Sequence, residues 1–181
     1  KKPKAMLELA EATVKTAKGL TADVEVSLMD ATRAEKDFLY SIAKKVIESG
    51  ANTVTVCDSA GEMLPVEFGE FLKDMYKAVP EMKNVNVSAE CSNALHMASA
   101  CAVSCIDGGV TQIKPSTISD SCPDLSSIAH IFRVKADALN VKTGINMAVL
   151  DNSVNMIRNM VARGNKATSL NCIADTAVGE K

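Results

Sequence analysis

Tryptophan is absent from the 181 residues, and aromatic side chains make up only 3%. The 20 basic and 22 acidic residues nearly cancel. No basic stripe is present, so an electrostatic footprint for nucleic acid is excluded. No apolar run approaches the roughly 20 residues that a membrane-spanning helix needs. Only two histidines occur, His96 and His130, which leaves few means for imidazole acid–base or metal chemistry. The six cysteines stand at 57, 91, 101, 105, 122 and 172 without a C-x-x-C pair. A structural zinc site has no spacing to use. Lys1-Lys2-Pro3-Lys4 leads directly into an amphipathic helix, so a signal peptide is not expected. Reduced thiols in a cytoplasmic protein are the expectation. The chain opens on Lys1 instead of a methionine, as a processed or excised piece would.

Apolar residues are plentiful, at 47% against 23% charged, enough to build a core. Their spacing alternates between two periods. Residues 3–18 repeat at helical spacing through Met6, Leu7, Ala10, Val14 and Ala17. Asp23–Leu28 reads as a strand. Thr32-x-x-Glu35 has the form of a capping box, opening a helix with the stripe Phe38, Leu39, Ile42, Ala43, Val46 and Ile47. Thr53–Cys57 is a β-branched run, hence a strand. Pro65 suits the first turn of a helix that carries Phe68, Phe71, Leu72, Met75 and Val79. Val85–Ala89 is a third strand, 94–106 a helix and Val110–Lys114 a fourth strand. Residues 124–139 and 147–163 are helical.

The strand centres Val26, Val56, Val87 and Ile113 recur at about the length of one βα unit. Strands that alternate with helices imply a parallel sheet in an α/β fold. Four such units make half of an eight-stranded barrel or a small doubly wound sheet, and periodicity does not choose. No G-x-G-x-x-G follows the first strand, which counts against dinucleotide binding.

Four stretches decide between the two folds: "VEVSLMDATR" (24–33), "TVTVCDSAGEMLPVEFGEF" (53–71), "VNVSAECSNALHMASACAVSCIDGG" (85–109) and "KADALNVKTGI" (135–145). In this order and spacing they resemble the second half of the catalytic TIM barrel of the isopropylmalate, homocitrate and citramalate synthases, within the hydroxymethylglutaryl-CoA lyase-like superfamily. The resemblance implies a parallel half-barrel over residues 1–140, equivalent to strands five to eight. Residues 141–181 are then a helical segment that follows the barrel, where "AVGEK" (177–181) resembles a linker motif. It implies condensation of acetyl-CoA with a 2-oxo acid on a divalent metal such as Mg, Mn or Zn.

The same resemblance marks departures. The family's His-x-His metal pair on strand seven is replaced by Glu90 and Ser92, although Asn93 remains. The strand-five S-P-E becomes Ser27-Leu28-Met29. The glycine-rich loop after strand eight becomes "STISDSCPDLSSI" (116–128), with no glycine. Asp58-Ser59-Ala60-Gly61 keeps the strand-six D-T-x-G form best. Ser27, Met29, Asp58, Ser59, Glu90, Ser92, Asn93 and Lys114 are therefore the candidate pocket residues. No metal ligand set is assigned. Glu90 and Asp58 could form a two-carboxylate site, but solvated strand-end acids are common. Lys114 is the best-placed cation for an anionic ligand, and equally an ordinary solvated lysine. Cys57 and Cys91 end adjacent strands, without a cation nearby to activate a thiol. His96 is placed inside the following helix, as a packing or capping residue.

Coincident loss of the histidine pair, the glutamate and the glycine loop points to a non-catalytic or partner-dependent relative. The alternatives are an active synthase with rearranged or partner-supplied ligands, and a metal-free lyase or aldolase. A half-barrel also leaves two sheet edges unpaired. They call for another copy, a complementary half-barrel chain or a further part of the same polypeptide, while a 2-oxo acid or acyl-CoA is the expected small-molecule partner.

Overall fold

A computed structural model describes residues 2–176. The linker motif at 177–181 lies outside the described residues. By contact the chain forms two units, one up to Pro115 with Asp120–Pro123, the other Ser116–Ser119 with the residues from Asp124 onward.

The first unit begins with α1 (Pro3–Leu20), which has a proline in its first turn, where the missing N–H costs nothing. Four strands follow: β1 (Glu25–Leu28), β2 (Thr53–Asp58), β3 (Asn86–Cys91) and β4 (Gln112–Ile113). Between them stand α2 (Lys36–Glu48), α3 (Pro65–Ala78) and α4 (Ala98–Asp107). All neighbouring strands pair in parallel, in the order β1-β2-β3-β4. A doubly wound sheet reverses its strand order at a switch point, and this sheet does not. With right-handed crossovers, unidirectional winding leaves the helices on one face, as in a barrel wall.

Register and pleat then sort the side chains. Val26, Leu28, Val54, Val56, Val87 and Ala89 share the helix-covered face, and all but Val26 are buried. Glu25, Ser27, Thr53, Thr55, Ser88 and Glu90 share the other, which in a barrel points inward. Fully buried Phe68, Leu72 and Met75 bring α3 onto the core. Phe68→Ala would cost about 3–5 kcal/mol. Gly69 lets α3 and α4 approach closely, since a Cβ there would lie 2.9 Å from the Ser104 hydroxyl.

In the first unit the structure departs from the sequence reading at three places, and in the second the helix expected over 124–139 divides in two while the one expected over 147–163 continues to Thr176. Thr32 and Glu35 form no capping box. Residues Ala31–Arg33 make a 3-10 turn, and Glu35 itself caps α2, accepting from the Asp37 and Phe38 amides. Thr32 is drawn away to Asp58. The helix after β3 starts at Ala98, not 94. His96 therefore sits in the preceding loop, exposed, with φ of 56°, and neither packs nor caps. The fourth strand shrinks to two residues, while β3 extends through Glu90 and Cys91, which pair with Cys57 and Asp58.

The second unit contains α5 (Leu125–Val134), α6 (Ala136–Leu139) and the long α7 (Met147–Thr176). Asp124 caps α5 by accepting from the Ser127 amide, and Arg158 of α7 pairs with the same carboxylate. His130 lies 3.5 Å from Asp151, tying α5 to α7.

Candidate functional site

Parallel strands end together, and the loops that leave their C-terminal ends form a rim. Here the rim encloses a cavity of about 400 Å³. Six of the eight candidates line it: Met29, Asp58, Ser59, Glu90, Ser92 and Lys114. The other two lie elsewhere. Ser27 is on the edge strand and lines a groove with α1 and α2. Asn93 is a scaffold residue. Its Oδ1 accepts from the Ala98 amide to start α4, and its Nδ2 donates to the Asp120 carbonyl. Cys91, Pro115, Ser121 and Cys122 complete the lining. The last two come from the polar loop after β4, whose irregular backbone carries no periodic signal to place it in the rim.

Asp58 borders the cavity, yet its oxygens are engaged. It is 2% exposed. Oδ1 accepts from the Thr32 hydroxyl at 2.9 Å and the Gly61 amide at 3.3 Å, and Oδ2 from the Met63 amide at 3.3 Å. The carboxylate thus ties down the loop from Ser59 to Met63. Gly61 is required in that loop. Its φ is +68°, and a Cβ there would meet the Ser92 side chain and carbonyl at 3.0 Å. Ser59 Oγ accepts from the Asp30 amide at 2.9 Å, joining the β1 and β2 rims.

Lys114 is engaged too. It follows one edge strand and reaches Glu25 on the other, and the Thr55 hydroxyl donates to the same carboxylate oxygen. These partners, Lys114 first, hold the Glu25 carboxyl below its usual range. An ion pair therefore crosses the inward face above fully buried Thr55. It removes the best-placed cation from service toward an anion. Glu90 is the opposite case: it is half-buried on the rim, and no hydrogen bond or ion pair ties its carboxylate to a described residue.

The thiols are quiet. Burial, then Glu90, pushes Cys57 up to about 11. Cys91 is also raised, by its contact with Cys105 and then by burial. Both stay protonated at neutral pH, so neither is an activated nucleophile. A divalent metal is no better provided for. The Asp58 carboxylate already accepts three hydrogen bonds, His96 stands in a loop, and the described residues contain no group of three His, Cys, Asp or Glu side chains arranged to hold an ion. The residues present do not fit the metal that the resemblance implies.

A family model described as HMGL-like matches residues 1–118. The chain belongs to the HMGL-like family. Among its relatives, the 2-isopropylmalate synthase of Clostridium kluyveri is 31% identical over 173 residues, 92% of this chain and 34% of the relative. The 2-isopropylmalate synthase of Caulobacter vibrioides is 35% identical over 147 residues, 79% of this chain and 28% of that enzyme. This HMGL-like chain spans about a third of the relatives' length. Among solved structures, the N-terminal domain of a protein described as an aldolase from Bacteroides vulgatus superposes with a TM-score of 0.66. The identity is 16%, covering 89% of this chain and 52% of that one. The carboxyl transferase domain of Rhizobium etli pyruvate carboxylase gives 0.58 at 15% identity, covering 73% and 23%. The four-stranded sheet of this HMGL-like chain is thus a half-barrel of TIM type.

Proposed function

We propose that this chain is a divergent member of the condensing-synthase branch of the HMGL-like family that catalyses no condensation by itself. One observation carries the reading: the described residues hold no group of three His, Cys, Asp or Glu side chains arranged for an ion, and by the resemblance Glu90 and Ser92 take the positions of the synthases' histidine pair. A metal that polarises a 2-oxo acid needs several convergent oxygen or nitrogen donors, and a single free carboxylate does not make that set. What remains is a small-molecule cavity on a rigid wall.

Partner dependence belongs to the same reading. β1 and β4 are sheet edges. Beside β1 runs a groove of about 450 Å³ between α1, β1 and α2, lined by Met6, Leu9, Ala10, Val26 and Ile42. A further parallel strand laid along β1 would cover it, supplied by a second copy or a complementary half-barrel. Free thiols at Cys57, Cys91, Cys101, Cys105 and Cys122 fit a reducing compartment such as the cytoplasm. Among the described residues no helix is long and apolar enough to cross a membrane.

The test is acetyl-CoA-dependent thiol release on a panel of 2-oxo acids, with bound Mg, Mn and Zn measured on the same preparation. The expected result is no stoichiometric metal and no release above background. Turnover by the chain alone, lost in Glu90→Gln, would overturn the proposal.

A further inference from the structure

We infer that the mouth cavity takes a small primary amine, its ammonium on Glu90, and refuses the 2-oxo acid anions of the synthase relatives. This rests on reading the cavity as a ligand site and names the class of ligand.

The argument is one of charge. Three ionisable side chains of the lining matter: Asp58, Glu90 and Lys114. Asp58 is held by the Thr32 hydroxyl and two amides. Lys114 is neutralised by Glu25, which does not line the cavity. Glu90 is the lining carboxylate without a hydrogen-bond or ion-pair partner among the described residues, and the net charge facing the cavity is negative. An entering carboxylate would meet that charge with no free cation to offset it. Partial burial strengthens this repulsion relative to water. An ammonium would meet the reverse, a charge-assisted hydrogen bond in a partly desolvated site. A second feature lies beneath. Ser88 faces the same side of β3 as Glu90, one pleat repeat deeper. Its hydroxyl is wholly buried and has no hydrogen-bond partner. A buried hydroxyl left unsatisfied costs free energy, although Ser88 is not itself part of the cavity lining. Met29, 65% exposed on the rim, and Pro115 supply apolar walls for a short aliphatic body. The lining contains no arginine or histidine.

The chain is titrated as it stands, with n-butylamine and separately with pyruvate, following backbone amide shifts by NMR. Butylamine is expected to shift the amides of Ser59, Glu90 and Ser92, and pyruvate to shift none of them. Glu90→Gln, nearly isosteric, should weaken butylamine about tenfold or more. Glu25→Gln releases Lys114 and should create a pyruvate response that the native chain lacks. Lys114→Met should keep the amine response. If Glu90→Gln fails to fold, the native titrations and the Lys114→Met variant still decide. Pyruvate shifts at the same amides of the native chain, silence toward both ligands, or unchanged butylamine affinity in a folded Glu90→Gln protein would each overturn the inference. Thiol release and metal content are separate readouts, so failure here leaves catalytic inertness standing, and turnover there leaves amine binding to be read independently.

Discussion

Asp58 separates a structural reading of the rim from a catalytic one. Its carboxylate accepts the Thr32 hydroxyl and the amides of Gly61 and Met63 at 2.9–3.3 Å, with 2% of the residue exposed. Asp58→Ala leaves three donors without their acceptor in a place that water barely reaches. Hydrogen bonds to charged groups contribute about 1.5–3 kcal/mol each. The two 3.3 Å bonds are long, and the loop can relax outward. The sum therefore falls to about 3–5 kcal/mol, in the range for breaking a buried charged contact. At about 2–4 °C per kcal/mol for a chain of this size, the expected loss in Tm is about 6–20 °C. Asp58→Asn keeps one good acceptor and turns an amide donor toward the other N–H, so its expected cost is about 1–2 kcal/mol. Thr32→Val should cost about 1 kcal/mol alone and almost nothing on the Asp58→Ala background, because the two share one bond. The assay is urea unfolding followed by tyrosine fluorescence. Both tyrosines, Tyr40 and Tyr76, lie in the unit with the sheet, so the signal reports that unit. A loss under about 1 kcal/mol for Asp58→Ala, or strict additivity with Thr32→Val, would refute the tie between Asp58 and the loop.

Two further outcomes follow from the ionisable groups. Glu25 has its folded pKa below the ordinary 4.5, so its contribution to stability is present above that value and lost as pH falls through the lowered one. The gap in urea midpoint between the native chain and Glu25→Gln should close as pH drops below 4.5, and a gap that widens on acidification would contradict the ion pair. Among the described thiols, half-buried Cys122 should react with iodoacetamide at neutral pH well before Cys57 and Cys101, which burial raises to about 11. Mass mapping of the labelled chain checks this order, and Cys57 labelling first would contradict the burial argument.

The candidate site was legible in part. Six candidates chosen from strand ends do meet in one cavity, because the C-terminal ends of parallel strands must converge on one rim. Their partners were not legible. Thr32 looks like a helix cap until Asp58, from the neighbouring strand end, takes its hydroxyl. Lys114 looks like a free cation until the sheet brings it to Glu25. Ser121 and Cys122 join the lining from a loop with no periodicity, and His96 leaves its expected helix for a left-handed turn.

The alternation of strand and helix and the buried apolar stripes were written in the chain itself, as was proline at the start of α1 and α3. Each depends on neighbours within a turn or a pleat, which local spacing encodes. Strand order, the partner of each charge, and the cavity carboxylate left unpaired were decided only when four distant segments came together. Those outcomes depend on through-space distances of a few ångströms, which no local period carries.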